Sequence, residues 1–386
     1  MHKNSHIQLA SYDTCTGCAA CVSICPTGSI SMKEDREGFL QPRIDTKTCI
    51  GCHKCEKTCP VLNPIKIPTD FETKAYATIN KDEDVRMRSS SGGMFHALAK
   101  WTTEQGGVVF GARFNEQWEV VHDYTETIEG IEPFMRSKYV QSRIGETFKQ
   151  AKQFLDQGRW VLYSGTPCQI GGLYAYLHKD YDKLLTVDLI CHGVPSPTVW
   201  EKYWRESVQG KTLVDFNFRD KRDGWIGFQC VTTTTTTKRE RNKDNIYERG
   251  FLENVYLRES CYRCSFKQYH RQADITLADF WGVQHQLPEF FDNKGTSLVY
   301  IHTAKADEVF KTIISNMRIE KIDGHEASKR NPHMQQSAQY SQRKKYFYLL
   351  FNMVGFRKAY VWSQNCDENF TSLKKFLSKV KRKIKK

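Results

Sequence analysis

The stretches "CTGCAACVSICP" (15–26) and "CIGCHKCEKTCP" (49–60) are one pattern written twice. A shift of 34 positions carries Cys15, Cys18, Cys21, Cys25 and Pro26 onto Cys49, Cys52, Cys55, Cys59 and Pro60. The spacing C-x2-C-x2-C-x3-C-P is that of a bacterial-type two-cluster ferredoxin, in which three close thiolates cap one cubane and the fourth cysteine reaches the other. Cys15, Cys18, Cys21 and Cys59 are therefore expected to hold one 4Fe-4S cluster, and Cys49, Cys52, Cys55 and Cys25 its twin. Thiolate suits the task because cluster iron favours soft sulfur donors. The proline after each fourth cysteine breaks the local backbone and lets that ligand cross over. A pair of zinc knuckles is the alternative, and the doubled spacing speaks against it. Between the copies, "SISM" and "GFLQPRI" flank the turn-like "KEDREG", which predicts a small hairpin.

At 386 residues the chain is far longer than a ferredoxin, and size priors predict two or three units. The start, "MHKNSHIQLASYD", is polar and shows no apolar signal region. Fourteen cysteines in such a chain point to metal binding in a reducing, cytoplasmic compartment rather than to disulfides. The longest apolar run, "YFYLLFNMVGF" (346–356), is too short to span a bilayer. Formal net charge is +13, and the last thirteen residues, "KKFLSKVKRKIKK", contribute eight basic side chains and no acid.

Residues 1–68 thus read as a ferredoxin domain, closed by the Pro-marked connector "PVLNPIKIPTD" (60–70). Beyond it, "AYATIN", "GVVFGARF", "WEVVHDY", "RWVLYS" and "LLTVDLI" have the texture of strands. They alternate with the helical patterns "SGGMFHALAKWTTEQ", "IGETFKQAKQFLDQ" and "PTVWEKYWRESV", which predicts an α/β domain over 71–210. "DFNF", "FQCVTTTTTT" and "SLVYIH" predict a β-rich continuation over 211–330, and 331–386 is read as a helical region with a basic tail. The expected class is α/β, or α+β over the whole chain.

Four more cysteines sit in informative places. Cys168 ("YSGTPCQIGG") and Cys191 ("DLICHGVPSP") follow predicted strands, and Cys261 and Cys264 form "CYRC". Loops at the carboxyl ends of strands in open α/β sheets converge on one crevice, so these four thiolates are expected to meet as a third 4Fe-4S site. A four-cysteine zinc site, a buried thiol set, or Cys168 acting alone as a nucleophile are the alternatives. Cys230 and Cys366 lack partners at ligand spacing and read as structural.

Clusters pass single electrons, whereas most metabolites take two, and a flavin bridges the two regimes. "RMRSSSGGMFHALAKW" (86–101) sets serines and a glycine pair at a helix start, which suits a pyrophosphate, although serine N-capping explains the same residues. "SKYVQSRIG" (137–145) adds polar side chains before another helix. Neither a G-x-G-x-x-G fingerprint nor a Walker lysine is present, so a classical NAD domain and an NTPase are disfavoured.

The doubled ferredoxin run, "RSSSGGM", "SKYVQS", "SGTPCQIGGL", "DLICHGVPSP", "CYRC" and "RQADITLADFWG" together resemble the beta-subunit family of coenzyme F-420-reducing hydrogenases and dehydrogenases over about residues 10 to 300. The resemblance implies an iron-sulfur flavoprotein with FAD, an N-terminal ferredoxin domain and an α/β catalytic domain. It makes Ser90, Ser91, Gly92, Gly93, Lys138 and Gln141 FAD-contact candidates and Cys168, Cys191, Cys261 and Cys264 cluster candidates. Asp274 and "DFWG" (279–282) resemble a family segment near the cofactor, with a packed strand as the alternative. His192, beside Cys191, is the candidate proton donor.

The expected function is an oxidoreductase linking a low-potential donor, such as reduced ferredoxin or a hydrogenase-type subunit, through clusters and FAD to a small organic acceptor, in either direction. The alternative is a subunit that only relays electrons to a partner protein. The amphipathic basic segment "NFTSLKKFLSKVKRKIKK" (369–386) suits an anionic membrane surface, with a solvated tail as the alternative, and no nucleic-acid module is recognisable.

Overall fold

In the computed structural model, which describes residues 7–67 and 69–364, the two cysteine runs fold as copies of one another. Gly17 and Gly51 have φ of 70° and 67°, and Ala19 and His53 have φ of 60° and 56°. Each C-x2-C loop thus makes the same left-handed turns before a short helix, α1 (Ala20–Ser23) or α2 (Lys54–Lys57). Such turns gather backbone N–H groups into an anion-binding concavity. Strands β1 (Ile30–Glu34) and β2 (Leu40–Ile44) pair antiparallel between the runs, the expected hairpin. Its turn is held by Asp35, whose carboxylate accepts from the amides of Glu37 and Phe39 at 2.8 and 3.0 Å.

The body is built on one eight-stranded mixed sheet. In chain order its strands are β3 (Lys74–Asn80), β4 (Val108–Phe114), β5 (Val120–Thr125), β6 (Val161–Ser164) and β7 (Leu184–Leu189). After the strands β8 (Asp215–Asp220), β9 (Gln229–Thr233) and β10 (Thr237–Arg241) of a separate sheet come β11 (Ile275–Asp279), β12 (Ser297–Ile301) and β13 (Met317–Ile322). The spatial order is β13-β3-β12-β11-β7-β6-β4-β5. The centre, β4, β6, β7 and β11, is parallel, and the remaining pairings are antiparallel. The parallel strands are buried on both faces, which is why "VVF", "VLY" and "LLTV" are apolar runs rather than alternating ones.

The expected boundary at residue 210 does not divide the fold. Strands β11 to β13, from the region read as a continuation, complete the same sheet, and β3 pairs with β12 and β13 rather than with its sequence neighbours. Strands β8 to β10 form a separate three-stranded sheet, with the threonine run divided between β9 and β10 and the turn joining them.

Helices cover both faces. On one, after the short α3 (Glu83–Arg88), lies α4 (Met94–Glu104), packing Ala97 and Leu98 with Val109, Leu162 and Val299. On the other lie α5 (Thr147–Asp156) and α6 (Pro167–Leu177), whose Phe148, Ile170 and Leu173 share a core with Cys18, Ala19 and Ala20 of the ferredoxin module. A third, aromatic core joins Trp200 and Tyr203 of the helix Pro197–Val208 to Phe218, Tyr247, Tyr256 and Phe356. The apolar run 346–356 lies in the helix Arg343–Ser363, which breaks at Gly355 (φ 79°), and it packs into this core. Among the described residues no helix is long and apolar enough to cross a membrane. The basic segment 369–386 and Cys366 lie outside the described residues.

The sheet interior holds a charge pair. Asp188 at the end of β7 accepts from Thr276 Oγ1 at 2.5 Å and from Arg271 Nη1 at 3.3 Å. Arg271 also donates to the carbonyls of Gln268, Leu189 and Met334. Both ionic groups are sealed from water, so removing one strands the other. Asp188→Ala is expected to destabilise the fold by about 3–5 kcal/mol, measured by denaturant unfolding; a loss within about 0.5 kcal/mol would mean that the pair is not holding the sheet.

Candidate redox centre and cofactor cavity

Three groups of cysteine sulfurs assemble. Cys15, Cys18, Cys21 and Cys59 line one small cavity, together with Thr16 and Pro60. Cys25, Cys49, Cys52 and Cys55 line another, with Ile30, Ile44 and Ile50. The fourth cysteine of each run thus stands with the first three of the other. Burial pushes the Cys18 thiol up to about 12, with Cys15 and Cys59 adding to the rise. Cys21 is raised likewise, by burial first and then by Cys18, Cys15, Cys59 and Cys55. Four thiolates this close in an apolar pocket are unfavourable alone, and bound cations remove the conflict. Burial opposes the Cys25 thiolate as well, but donors from Thr27, Ser29 and Ile30 outweigh it and lower its pKa.

The two sets differ in exposure. Cys52 is exposed, beside Ile50 with 59% of its surface in solvent, so the Cys25/Cys49/Cys52/Cys55 set is the outer one. His53, inside the second run, is hydrogen-bonded to Glu56 at 2.5 Å. The inner set is pressed onto α6. A Cβ placed on Gly172 would lie 2.9 Å from Cys18 Cβ and 3.1 Å from its Sγ, so only glycine allows the approach. Cys168 lies four residues earlier on α6, one helical turn or about 6 Å along the axis.

Cys168, Cys191, Cys261 and Cys264 are brought together at this end of α6. The β6-to-α6 junction presents Cys168 behind a capping box of Thr166 and Gln169, and the Cys168 sulfur lies 3.2 Å from Thr166 Oγ1. Cys191 follows β7, and the 3-10 helix Glu259–Arg263 brings in Cys261. Burial raises the Cys168 thiol well above its ordinary value, and Cys264, Cys191 and Cys261 add to it. Burial likewise takes Cys261 up to about 12, helped by Cys191 and Cys264. Among the described residues no three His, Cys, Asp or Glu side chains are drawn tightly enough to hold a single metal ion. Cys230 stands apart, donating to Phe218 O and to Glu248.

Cys191 also forms part of the wall of a cavity of about 610 Å³ at the carboxyl ends of β4, β6, β7 and β11. Two helix starts face it, that of α4 through Gly93, Met94 and Phe95 and that of α6 through Gly165 and Thr166. Helix starts offer unpaired amides to anionic groups. Apolar walls come from Phe134, Val187, Leu189, Leu277, Phe228 and Trp281. Trp281 is stacked on Trp225 at 4.8 Å, and Arg219, ion-paired with Asp279, has Phe228 and Trp281 on its faces. His122 Nδ1 and Arg219 Nε and Nη2 are buried without a hydrogen-bond partner among the described residues, and a bound polar group is an ordinary remedy for such atoms. The size, two anion-facing ends and an apolar slot fit a flavin dinucleotide.

The expected flavin contacts divide. Ser90, Ser91 and Gly93 line the cavity; Ser90 Oγ is 2.9 Å from Ser137 Oγ, and Ser91 Oγ donates to Thr296 O. Gly92 is a correction: it faces the sheet, where a Cβ would lie 2.3 Å from Thr78 O, and its amide donates to Ser297 Oγ. Gln141 is a second correction, because its side chain points to the ferredoxin module, donating to Thr16 O and accepting from Arg258. Lys138 lines the cavity, yet its ammonium is bound by the carbonyls of Pro133, Met135 and Arg136, and burial lowers its pKa to about 7. Lys221 does the equivalent for the serine loop, donating to the carbonyls of Arg86, Ser91 and Lys294.

His192 lines the cavity with Nε2 2.6 Å from Asn254 Oδ1 and its ring against His333; burial first, then His333, lower its pKa to about 4. Asp274 is buried in the fold, accepting from Thr186 and Thr303, whereas Asp279 and Trp281 of "DFWG" reach the cavity. Sequence reasoning missed Gly172, Arg219 and Arg258. The glycine pair inside "CQIGGL" was the available sign, since a helix interior accepts such residues when something packs close.

Residues 14–63 match the family model described as a 4Fe-4S dicluster domain. Residues 158–326 match the family model that describes the carboxyl-terminal part of the coenzyme F420 hydrogenase/dehydrogenase beta subunit. A comparison with curated proteins found no match. Among solved structures, a chain of the F420-reducing NiFe hydrogenase complex from Methanosarcina barkeri is similar at 16% identity, covering 69% of this chain and 93% of that one, with a TM-score of 0.46. The protein is an iron-sulfur redox protein of the oxidoreductase class. Its segment 158–326 is similar to the carboxyl-terminal part of the coenzyme F420 hydrogenase/dehydrogenase beta subunit.

Gly172→Ala tests the seat of the inner set. The added methyl is expected to displace Cys18, destabilise the fold by about 1–3 kcal/mol and lower bound iron by about four atoms per chain. Full iron with unchanged stability would show that the seat tolerates the methyl.

Proposed function

We propose that the protein is an FAD-dependent oxidoreductase that takes electrons from a protein donor at the outer cluster and reduces a small organic acceptor in the cavity beside Cys191. The carrying observation is the order of the groups in space. The exposed Cys52 marks one end, the inner set rests on Gly172, Cys168 lies one turn away on the same helix, and Cys191 joins that thiol group to the cavity wall. Bound FAD would supply the exchange between single electrons and a hydride.

Each stretch of chain then has a task. The starts of α4 and α6, with Ser90, Ser91 and Thr166, hold the diphosphate region of the dinucleotide. Phe228 and Trp281 line the apolar slot. Lys138 and Lys221 fix the loops 133–136 and 86–91 through backbone carbonyls rather than touching the flavin. His192, neutral and oriented by Asn254, faces the acceptor side as the candidate proton carrier. A 4Fe-4S cluster is favoured over zinc at Cys168, Cys191, Cys261 and Cys264, because a cubane engages four separate irons and suits a looser thiol grouping. The donor is reduced ferredoxin or a hydrogenase-type subunit, as the family name suggests, and the setting is the cytoplasm. A relay subunit without its own substrate is the competing reading, and a cavity of about 610 Å³ supports the enzyme instead.

Anaerobic purification followed by cofactor extraction tests this reading. About twelve irons and one FAD per chain are expected, and Cys264→Ser should remove about four irons while the flavin stays. About eight irons in the unaltered protein would delete the third cluster, and absence of flavin after reconstitution would remove the enzyme reading. His192→Gln is expected to slow acceptor reduction at least tenfold, about 1.4 kcal/mol of barrier, with flavin reduction unchanged; unaltered turnover would discard its role.

A further inference from the structure

Arg258 is among the largest fully buried side chains, with 1% of its surface exposed. Its backbone belongs to the body, where its amide donates to Val194 O at 3.0 Å. Its side chain crosses into the ferredoxin module. Nε donates to Cys15 O at 2.7 Å, Nη2 to Leu40 O at 3.0 Å and to Cys15 Sγ at 3.7 Å, and Nη1 to Gln141 Oε1 at 3.1 Å. Gly17 makes room, since a Cβ there would lie 2.8 Å from Arg258 Nη1.

Among the described residues no carboxylate forms an ion pair with this guanidinium. The neighbouring acids Glu37 and Glu259 are both taken by Lys344. A buried charge without a counter-charge is strongly unfavourable, so this guanidinium favours an anionic neighbour. Of the four acceptors it reaches, the Cys15 sulfur is the one that can carry a negative charge. Cys25 of the outer set, by contrast, is served by neutral donors from Thr27, Ser29 and Ile30.

We propose that Arg258 is the counter-charge and hydrogen-bond donor of the inner cluster and holds its reduction potential above that of the outer one. The proposal rests on reading Cys15, Cys18, Cys21 and Cys59 as the inner ligand set. One electron from a reductant takes a cubane with its four thiolates from about −2 to about −3, with no proton required. A fixed cation in a low-dielectric site favours the more negative form, as does an N–H donor to a ligating sulfur. Electrons entering at the outer cluster would then run downhill toward the body. Gln141 positions the arginine, which accounts for its turning away from the cavity.

The test is an anaerobic redox titration of the reconstituted full chain followed by EPR. The outer cluster is identified by its faster relaxation with a soluble paramagnetic ion. Arg258→Gln should lower the inner potential by at least 59 mV, a tenfold shift for a one-electron couple, and leave the outer one in place. Arg258→Lys, which keeps the charge, should lower it less. Gln141→Glu sets a carboxylate on the arginine and should lower the same potential, which decides the matter if Arg258→Gln fails to assemble. Wild-type potentials in the fully loaded variants, or an equal displacement of every cluster, would overturn the proposal. Iron analysis of Cys15→Ser separates this from failure of the ligand reading: a variant that retains all its iron would dismiss the ligand set, not the role of Arg258.

Discussion

The close approach of Cys18 to Gly172 is the contact on which the rest depends. A ferredoxin module tethered by a linker would leave its clusters at no fixed distance from anything in the body. Here Cys18, Ala19 and Ala20 share a hydrophobic core with Phe148, Ile170 and Leu173, so the module is an integral layer of the fold. The absent side chain at position 172 lets the Cys18 sulfur lie against the helix that carries Cys168. The burial of Cys18 and its nearness to that helix are therefore set by one packing event.

The same economy governs the cavity. The parallel strands end on one side of the sheet, and this polarity gathers Ser164, Leu189 and Asp279 on a single rim. Lys138 and Lys221 each satisfy three backbone carbonyls and thereby keep irregular loops in place at the rim. A loop that must fold back without secondary structure leaves carbonyls unpaired, and an ammonium with three donors meets that need. Charge at these positions is used to shape the backbone, whereas Arg258 carries its charge to the cysteine module.

How much of this was legible follows from which forces act locally. The doubled cysteine run could be read because ligand spacing is a property of adjacent residues, and the strands 75–80, 107–114 and 159–164 because burial on both faces makes apolar runs. The return of β11 to β13 to the same sheet could not be read, since it depends on pairings such as Ser297 with Thr78 that no local pattern encodes. The assignment of Gln141 to the flavin failed for a related reason: a polar residue before a helix looks the same whether it faces a ligand or another module. Arg258 looked like one arginine among many because its meaning lies in the partners it lacks.

In the proposed route electrons reach the cavity through the ferredoxin module rather than around it. Stopped-flow reduction of the anaerobic, fully loaded chain by a one-electron protein donor, watched at iron-sulfur and flavin wavelengths, tests it most directly. Iron-sulfur absorbance is expected to bleach first, at a rate that rises with donor concentration, and flavin bleaching to follow at a rate independent of the donor. Flavin bleaching that begins without delay and keeps its rate in protein lacking the N-terminal clusters would contradict it.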